Sequence, residues 1–352
     1  SAGGLLSDHH LVISGGTNRI AQGGTLEVRS AQVGAEASGL ELIGSGQSLL
    51  TIEAGGRLAV ANDVVVNASG GSALISRAVP GLGAGSIDLL GGLRNLAITS
   101  SDSSKGLVLD ASVVNGGVVK SGAGLLVLNA ANDFTSALVL REGLLELGTI
   151  GALRTSGGAG LLFEGGTLRF GSGAIEDVSG SIGFIGSGQE AKIDTNGQSV
   201  NFGSGLNGVG ALLKLGEGRL MLSGSSSLGA GVTVAGGTLG LGLSDLFSGD
   251  SQITVSGGLL DLGQTSQRAG VITLNSGRIE SGTLRAGAMH LIDGTVSALL
   301  AGTGSVSKSG AGTVVLRTAS TYTGGTRITG GTLALGGDER LSGLGGLAVE
   351  GG

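Results

Sequence analysis

Cysteine and tryptophan are missing from this chain, proline and tyrosine occur once each (Pro80 and Tyr322), and phenylalanine occurs six times. With no cysteine there is nothing to misoxidise in an oxidising compartment. With so few aromatic rings, the stacking surfaces that commonly hold sugars are nearly absent. Charge is scarce too: 13% of residues are Asp, Glu, Lys or Arg, and the net charge of −6 is spread without blocks. That excludes the concentrated basic surface on which nucleic-acid binding rests, and disfavours anionic membrane surfaces for the same reason. No apolar run approaches the length of a membrane span. Helix signals are lacking as well, since no stretch of a dozen residues keeps a 3.6-residue period. Glycine at this frequency would cost a helix about 1 kcal/mol at each interior occurrence.

What the chain does have is 76 glycines and abundant Leu, Val, Ile and Ala. Disordered chains lack aliphatic residues, and collagen needs a strict glycine period of three that is not found here. The aliphatic residues can bury a core. Without large aromatic rings, that core must be thin and built from many similar stacked layers. Short alternating runs such as Thr25-Leu26-Glu27-Val28, Arg57-Leu58-Ala59-Val60 and Thr332-Leu333-Ala334-Leu335 read as strands of four to six residues, punctuated by glycine pairs.

A Lys-x-Gly-x-Gly motif recurs at Lys120, Lys214 and Lys308, at equal intervals of 94 residues. The same offset aligns Gly122 with Gly216 and Gly310, and Gly124 with Gly218 and Gly312. It also aligns Gly143 with Gly237 and Gly331, and Leu128, Leu145 and Leu147 with their counterparts. Phe134, Leu228 and Tyr322 fall at one equivalent loop position and read as apolar anchors. The lysines read as turn residues: 94 residues separate them by several coils, so they form no basic stripe.

A fixed period over a long chain of short strands excludes a single sandwich or barrel and calls for an all-β, right-handed parallel β-helix, a β-solenoid rod. At about 20 residues per coil, each 94-residue unit holds four or five coils and the chain forms a rod of about 80 Å. The expected organisation is divergent solenoid coils over residues 1–112, a first repeat unit over 113–211, a second over 212–305 and a partial third over 306–352. Leu347-Ala-Val-Glu-Gly-Gly352 aligns with Ile253-Thr-Val-Ser-Gly-Gly258, where the glycines open a strand, so the array is expected to continue.

The segment Val306-Ser-Lys-Ser-Gly-Ala-Gly-Thr-Val-Val-Leu316, followed by Thr321-Tyr-Thr-Gly-Gly-Thr326 and Gly330-Gly-Thr-Leu-Ala-Leu-Gly336, resembles the autotransporter-associated β-strand repeat of bacterial passenger domains. The copies at Lys120 and Lys214 keep the lysine-glycine and Gly-x-Leu-x-Leu-Gly elements but lose the Tyr-x-Gly-Gly-Thr loop. The resemblance covers residues from about Val113 onward. It implies a secreted β-helical rod on a bacterial surface, exported by type V secretion or a related route and anchored to the outer membrane through regions outside this chain. Its implied roles are adhesion, self-association or display. The implied partners are neighbouring repeats, copies of the same protein, and host or sister-cell surfaces. It implies no cofactor and no catalytic residue.

Some parallel β-helices cleave polysaccharides, so a carbohydrate-active groove is the alternative reading. Such grooves cluster carboxylates and basic residues. Here only Glu176-Asp177 and Asp338-Glu339 are adjacent carboxylate pairs, in turn-like surroundings. His9 and His10 lack a third ligand at metal-binding spacing, and His290 reads as an outward rung residue. Gly203-Ser-Gly-Leu-Asn-Gly208 fits the dinucleotide fingerprint, but no helix follows to meet a phosphate. The tandem Gly-Gly-x-Gly-x-Asp of calcium-binding rolls is absent, so folding is expected to need no Ca²⁺. The expectation is therefore no enzyme, no cofactor and no metal.

Overall fold

Alternation of side chains explains the strands and the way they stack. In Glu190–Asp194, Ala191 and Ile193 are buried while Glu190, Lys192 and Asp194 are half-buried. A strand of this kind offers one apolar face, and a parallel copy laid on it one coil later offers the same face in the same direction. The computed structural model describes residues 11–350 apart from 14–17, 21–24, 29–39, 44–47, 69, 78–84, 157–159, 338–340 and 342–344. Its described residues form parallel strands stacked as a β-solenoid. Among them the only helical element is one 3-10 turn, Ser179–Ser181. His9, His10, Asp338-Glu339 and Gly351-Gly352 lie outside the described residues.

The chain divides between Gly183 and Phe184 into two compact units. In the first, a core column rises through Val64, Leu96, Lys120, Leu140 and Phe163, one residue per coil. A second column runs through Leu126, Leu145 and Leu168, all buried. In the second unit, the corresponding column is Ile193, Lys214, Val234, Val255, Leu274, Leu291, Lys308 and Ile328. Five steps thus carry Lys214 to Lys308. A second column is Val200, Leu220, Leu239, Leu260, Ile279, Val296 and Leu316, every one buried. Each such aliphatic side chain contributes about 1.5–3 kcal/mol when fully buried, so many thin layers replace a thick aromatic core.

Strand length departs from the four to six residues expected. Gln252–Asp261, Ser266–Glu280 and Thr283–Leu291 run on for 10, 15 and 9 residues. Gly257 and Gly258 therefore lie inside a strand rather than opening the next one. The cause is local: Gly257 at φ +138° and Gly277 at φ +92° bend the backbone while the ladder continues. Register shifts on either side of Ser256 mark the bend.

Candidate functional site: the lysine corner

In strand Gly117–Ser121, Val118 faces the core, and Lys120, two residues on, shares its face. Leu212 and Lys214 repeat the arrangement, as do Val306 and Lys308. All three lysines are completely buried, at 0% exposure. They are not turn residues, as the sequence suggested, but lie inside strands. Each occupies an inward position in a column that is otherwise aliphatic.

A buried ammonium needs acceptors for its three hydrogens, and the corner supplies three carbonyls. Lys120 Nζ donates to Ser121 O at 3.0 Å, Gly122 O at 2.6 Å and Glu142 O at 3.1 Å. Lys214 Nζ donates to Leu215 O at 2.7 Å, Gly216 O at 2.8 Å and Gly236 O at 3.1 Å. Lys308 Nζ donates to Ser309 O at 2.7 Å, Gly310 O at 3.0 Å and Gly330 O at 3.0 Å. Two acceptors belong to the lysine's own corner and the third to the next coil, 22 residues on. The first glycine of the motif makes the cradle: Gly122, Gly216 and Gly310 have φ of +73°, +66° and +71°. That left-handed turn directs two successive carbonyls at one nitrogen.

The later glycine of each repeat closes the corner from above. A Cβ on Gly143 would lie 2.5 Å from Gly122 O, 2.6 Å from Gly124 O and 2.8 Å from Lys120 Nζ. Gly237 and Gly331 are crowded in the same way by the carbonyls of Gly216, Gly218, Gly310 and Gly312 and by Lys214 and Lys308 Nζ. The twelve repeat positions therefore collapse into three copies of one four-residue corner. Gly124, Gly218 and Gly312 complete it as the floor on which the next coil rests.

Burial pushes the Lys120 and Lys214 ammoniums down to about 8, against the opposing attraction of Glu142 for the first and of Asp194 and Glu217 for the second. Lys308 is lowered by the same cause, with Asp293 opposing. At neutral pH Lys120 and Lys214 are therefore charged, and the three charge-assisted hydrogen bonds offset much of the desolvation.

At the equivalent loop position of each repeat, Phe134, Leu228 and Tyr322 are buried at 0–1% exposure, and the Tyr322 hydroxyl bonds Thr326 Oγ1 at 2.6 Å. Two residues earlier in each copy lies a buried polar position that the sequence reading missed. Asn132 Oδ1 accepts from Val113 N at 2.8 Å, and its Nδ2 donates to Ala152 O at 2.7 Å, joining three coils. Ser226 Oγ, its counterpart, accepts from Leu206 N at 3.0 Å. The signal was present in the 94-residue alignment, which puts Asn132, Ser226 and Ser320 in register. Replacing Asn132 with Ala leaves a donor and an acceptor unpaired in the interior. A loss of about 2–3 kcal/mol is expected, read from the urea midpoint and from faster amide exchange at Val113.

Glu176 and Asp177 both accept hydrogen bonds from the backbone. Glu176 Oε1 accepts from Gly151 N at 2.7 Å, and Asp177 Oδ1 from Ser179 N at 2.9 Å. His290 is exposed on the outer face, paired in register with Thr273 and Ser307. No helix follows Gly203–Gly208; strand Ala211–Leu215 does. Among the described residues no group of three or more His, Cys, Asp or Glu is placed to hold a metal ion. No helix among them is long and apolar enough to cross a membrane.

These features define a class, a parallel β-solenoid whose repeated corner is tied by a buried ammonium. Residues 118–147, 212–241 and 306–335 each match the family model described as passenger-associated-transport-repeat, together about a quarter of the chain. The chain thus carries the repeats of an autotransporter passenger domain, a secreted and surface-displayed class. Each matched segment contains one whole corner, from the lysine to the glycine that covers it. No curated protein and no solved structure matches the chain.

Proposed function

We propose that the chain is a non-enzymatic stalk segment of a bacterial surface protein, exported by a type V route and anchored in the outer membrane through regions beyond it, and that its outer faces mediate self-association and adhesion. The observation that carries this reading is an uncharged outer face in the second unit. Between Lys192 and Arg327 one outward column runs Leu213, Thr233, Thr254, Thr273, His290 and Ser307. The next column runs Ala211, Gly231, Gln252, Val271, Ala288 and Ser305. Neither stretch contains Asp, Glu, Lys or Arg. A face of mostly small and hydroxyl-bearing side chains, without Asp, Glu, Lys or Arg, suits lateral contact with a second such face or with another cell's surface.

Sedimentation of the purified chain, and clumping of cells that display it, test the reading. Concentration-dependent association is expected, and it should be abolished in a Thr254→Glu, Thr273→Glu double variant, in which like charges meet across the contact. A chain that stays monomeric and leaves displaying cells dispersed and non-adherent contradicts the proposal. Cleavage of a polysaccharide by the purified chain would replace it with the carbohydrate-active alternative.

A further inference from the structure

The lysine corner has one property that a static tie would not need. Its three acceptors match three N–H groups, so the arrangement is complete only for the ammonium. A neutral amine keeps two donors and leaves one carbonyl without a partner. In the first two copies the longest of the three bonds is the one to the next coil, at 3.1 Å from Lys120 to Glu142 O and from Lys214 to Gly236 O. The bonds to Gly122 O, Leu215 O and Gly216 O, in the left-handed glycine turn, are shorter, at 2.6, 2.7 and 2.8 Å.

We propose that the Lys120 and Lys214 corners are proton-dependent stitches between two stacked coils: the ammonium holds its own corner and the coil above, and the amine keeps its own corner and releases the coil above. The inference rests on the corner alone and stands or falls independently of the self-association reading.

The surroundings leave the lysine as the group that titrates. The strands stacked on either side contribute Leu96 and Leu140 around Lys120, Ile193 and Val234 around Lys214, and Leu291 and Ile328 around Lys308, none of which ionises. The charged groups that face the ammoniums are carboxylates at the corners: Glu142 for Lys120, Asp194 and Glu217 for Lys214, and Asp293 for Lys308. Glu142 Oε2 is also held by Gly122 N at 3.0 Å, and Asp293 Oδ1 by Thr313 N at 3.1 Å.

Nitrogen and carbonyl-carbon NMR of the full, isotopically labelled chain between pH 6.5 and 9.5 tests the stitch. The Nζ signals of Lys120 and Lys214 should titrate with midpoints near 8. The carbonyl carbons of Glu142 and Gly236 should shift with those midpoints, while those of Gly122 and Gly216 move much less. In Lys214→Met the titration of Gly236 should vanish while that of Glu142 persists. If the variant does not fold, the contrast between the next-coil and own-corner carbonyls in the unaltered chain decides alone. The proposal is overturned if the buried Nζ groups stay charged throughout, or if they titrate while Glu142 and Gly236 carbonyls stay fixed.

Discussion

Gly237→Ala is expected to destabilise the second unit by about 3–4 kcal/mol, in a change of one methyl group. Two independent effects add. The position has φ +58°, which an L side chain adopts only with strain. The new Cβ would also fall 2.3 Å from Gly218 O and 2.6 Å from Gly216 O. Both are backbone atoms of the corner below, so neither can rotate away, and the coils must separate. Urea unfolding and amide exchange should place the loss around Lys214 and the coil above it, because a solenoid coil contacts chiefly its neighbours. Gly249→Ala is the matched control: its Cβ would meet nothing within 4 Å, and a change within about 0.5 kcal/mol is expected. Equal losses at the two positions would mean that the corner is not closely packed.

Lys214→Met should cost about 2–4 kcal/mol near neutral pH, although it removes a buried charge and keeps an unbranched chain of similar length. Methionine cannot donate, so the Leu215, Gly216 and Gly236 carbonyls lose their shared partner. Lys308 lies five coils away in the same unit, and Lys308→Met should therefore add to Lys214→Met without coupling. The effect of pH has a definite sign. The folded-state value for Lys214 is about 8 against an ordinary 10.5. Below 8, the folded and unfolded chains are both protonated and this lysine adds no slope. Between 8 and 10.5, the unfolded chain binds more protons, so the contribution of Lys214 to stability rises with pH, by at most about 3 kcal/mol. The unaltered chain should thus gain stability relative to Lys214→Met across that window, even as one inter-coil hydrogen bond is given up. The gain comes from no longer burying a charge. A difference that is flat or falls between pH 8 and 10.5 would contradict this account of the lysine.

Periodicity made much of the fold legible. The 94-residue offset, the alternating aliphatic runs and the want of helix signals point to stacked parallel coils, because only a solenoid repeats its sequence while burying a thin core. Strand limits were less legible. Gly257 and Gly277 look like punctuation in the sequence, yet a single bent residue lets the ladder run through a corner, which composition cannot distinguish from a break. The lysines were the main misreading. A charged residue before Gly-x-Gly looks like a solvated turn, and charge usually overrides alternation. Here the alternation was the better guide: Val118, Leu212 and Val306 face inward, and the residue two places on must share their face. What the sequence does not display is the carbonyl cradle that makes an inward ammonium tolerable. It forms only when Glu142, Gly236 or Gly330, 22 residues later, comes to lie over the corner. Asn132 escaped notice for a similar reason, since its partners Val113 and Ala152 lie on different coils.

The lysines recurring every 94 residues are buried ties within the solenoid and not surface charges. Amine acylation of the native chain at neutral pH, read lysine by lysine by mass spectrometry, tests it most directly. Lys105, with a side chain 41% exposed, and the outward Lys192 provide the reference within the same molecule. Rapid labelling of Lys105 and Lys192 is expected, with protection of Lys120, Lys214 and Lys308 until the chain is unfolded. Labelling of those three at the rate of Lys105 in the folded chain would contradict it.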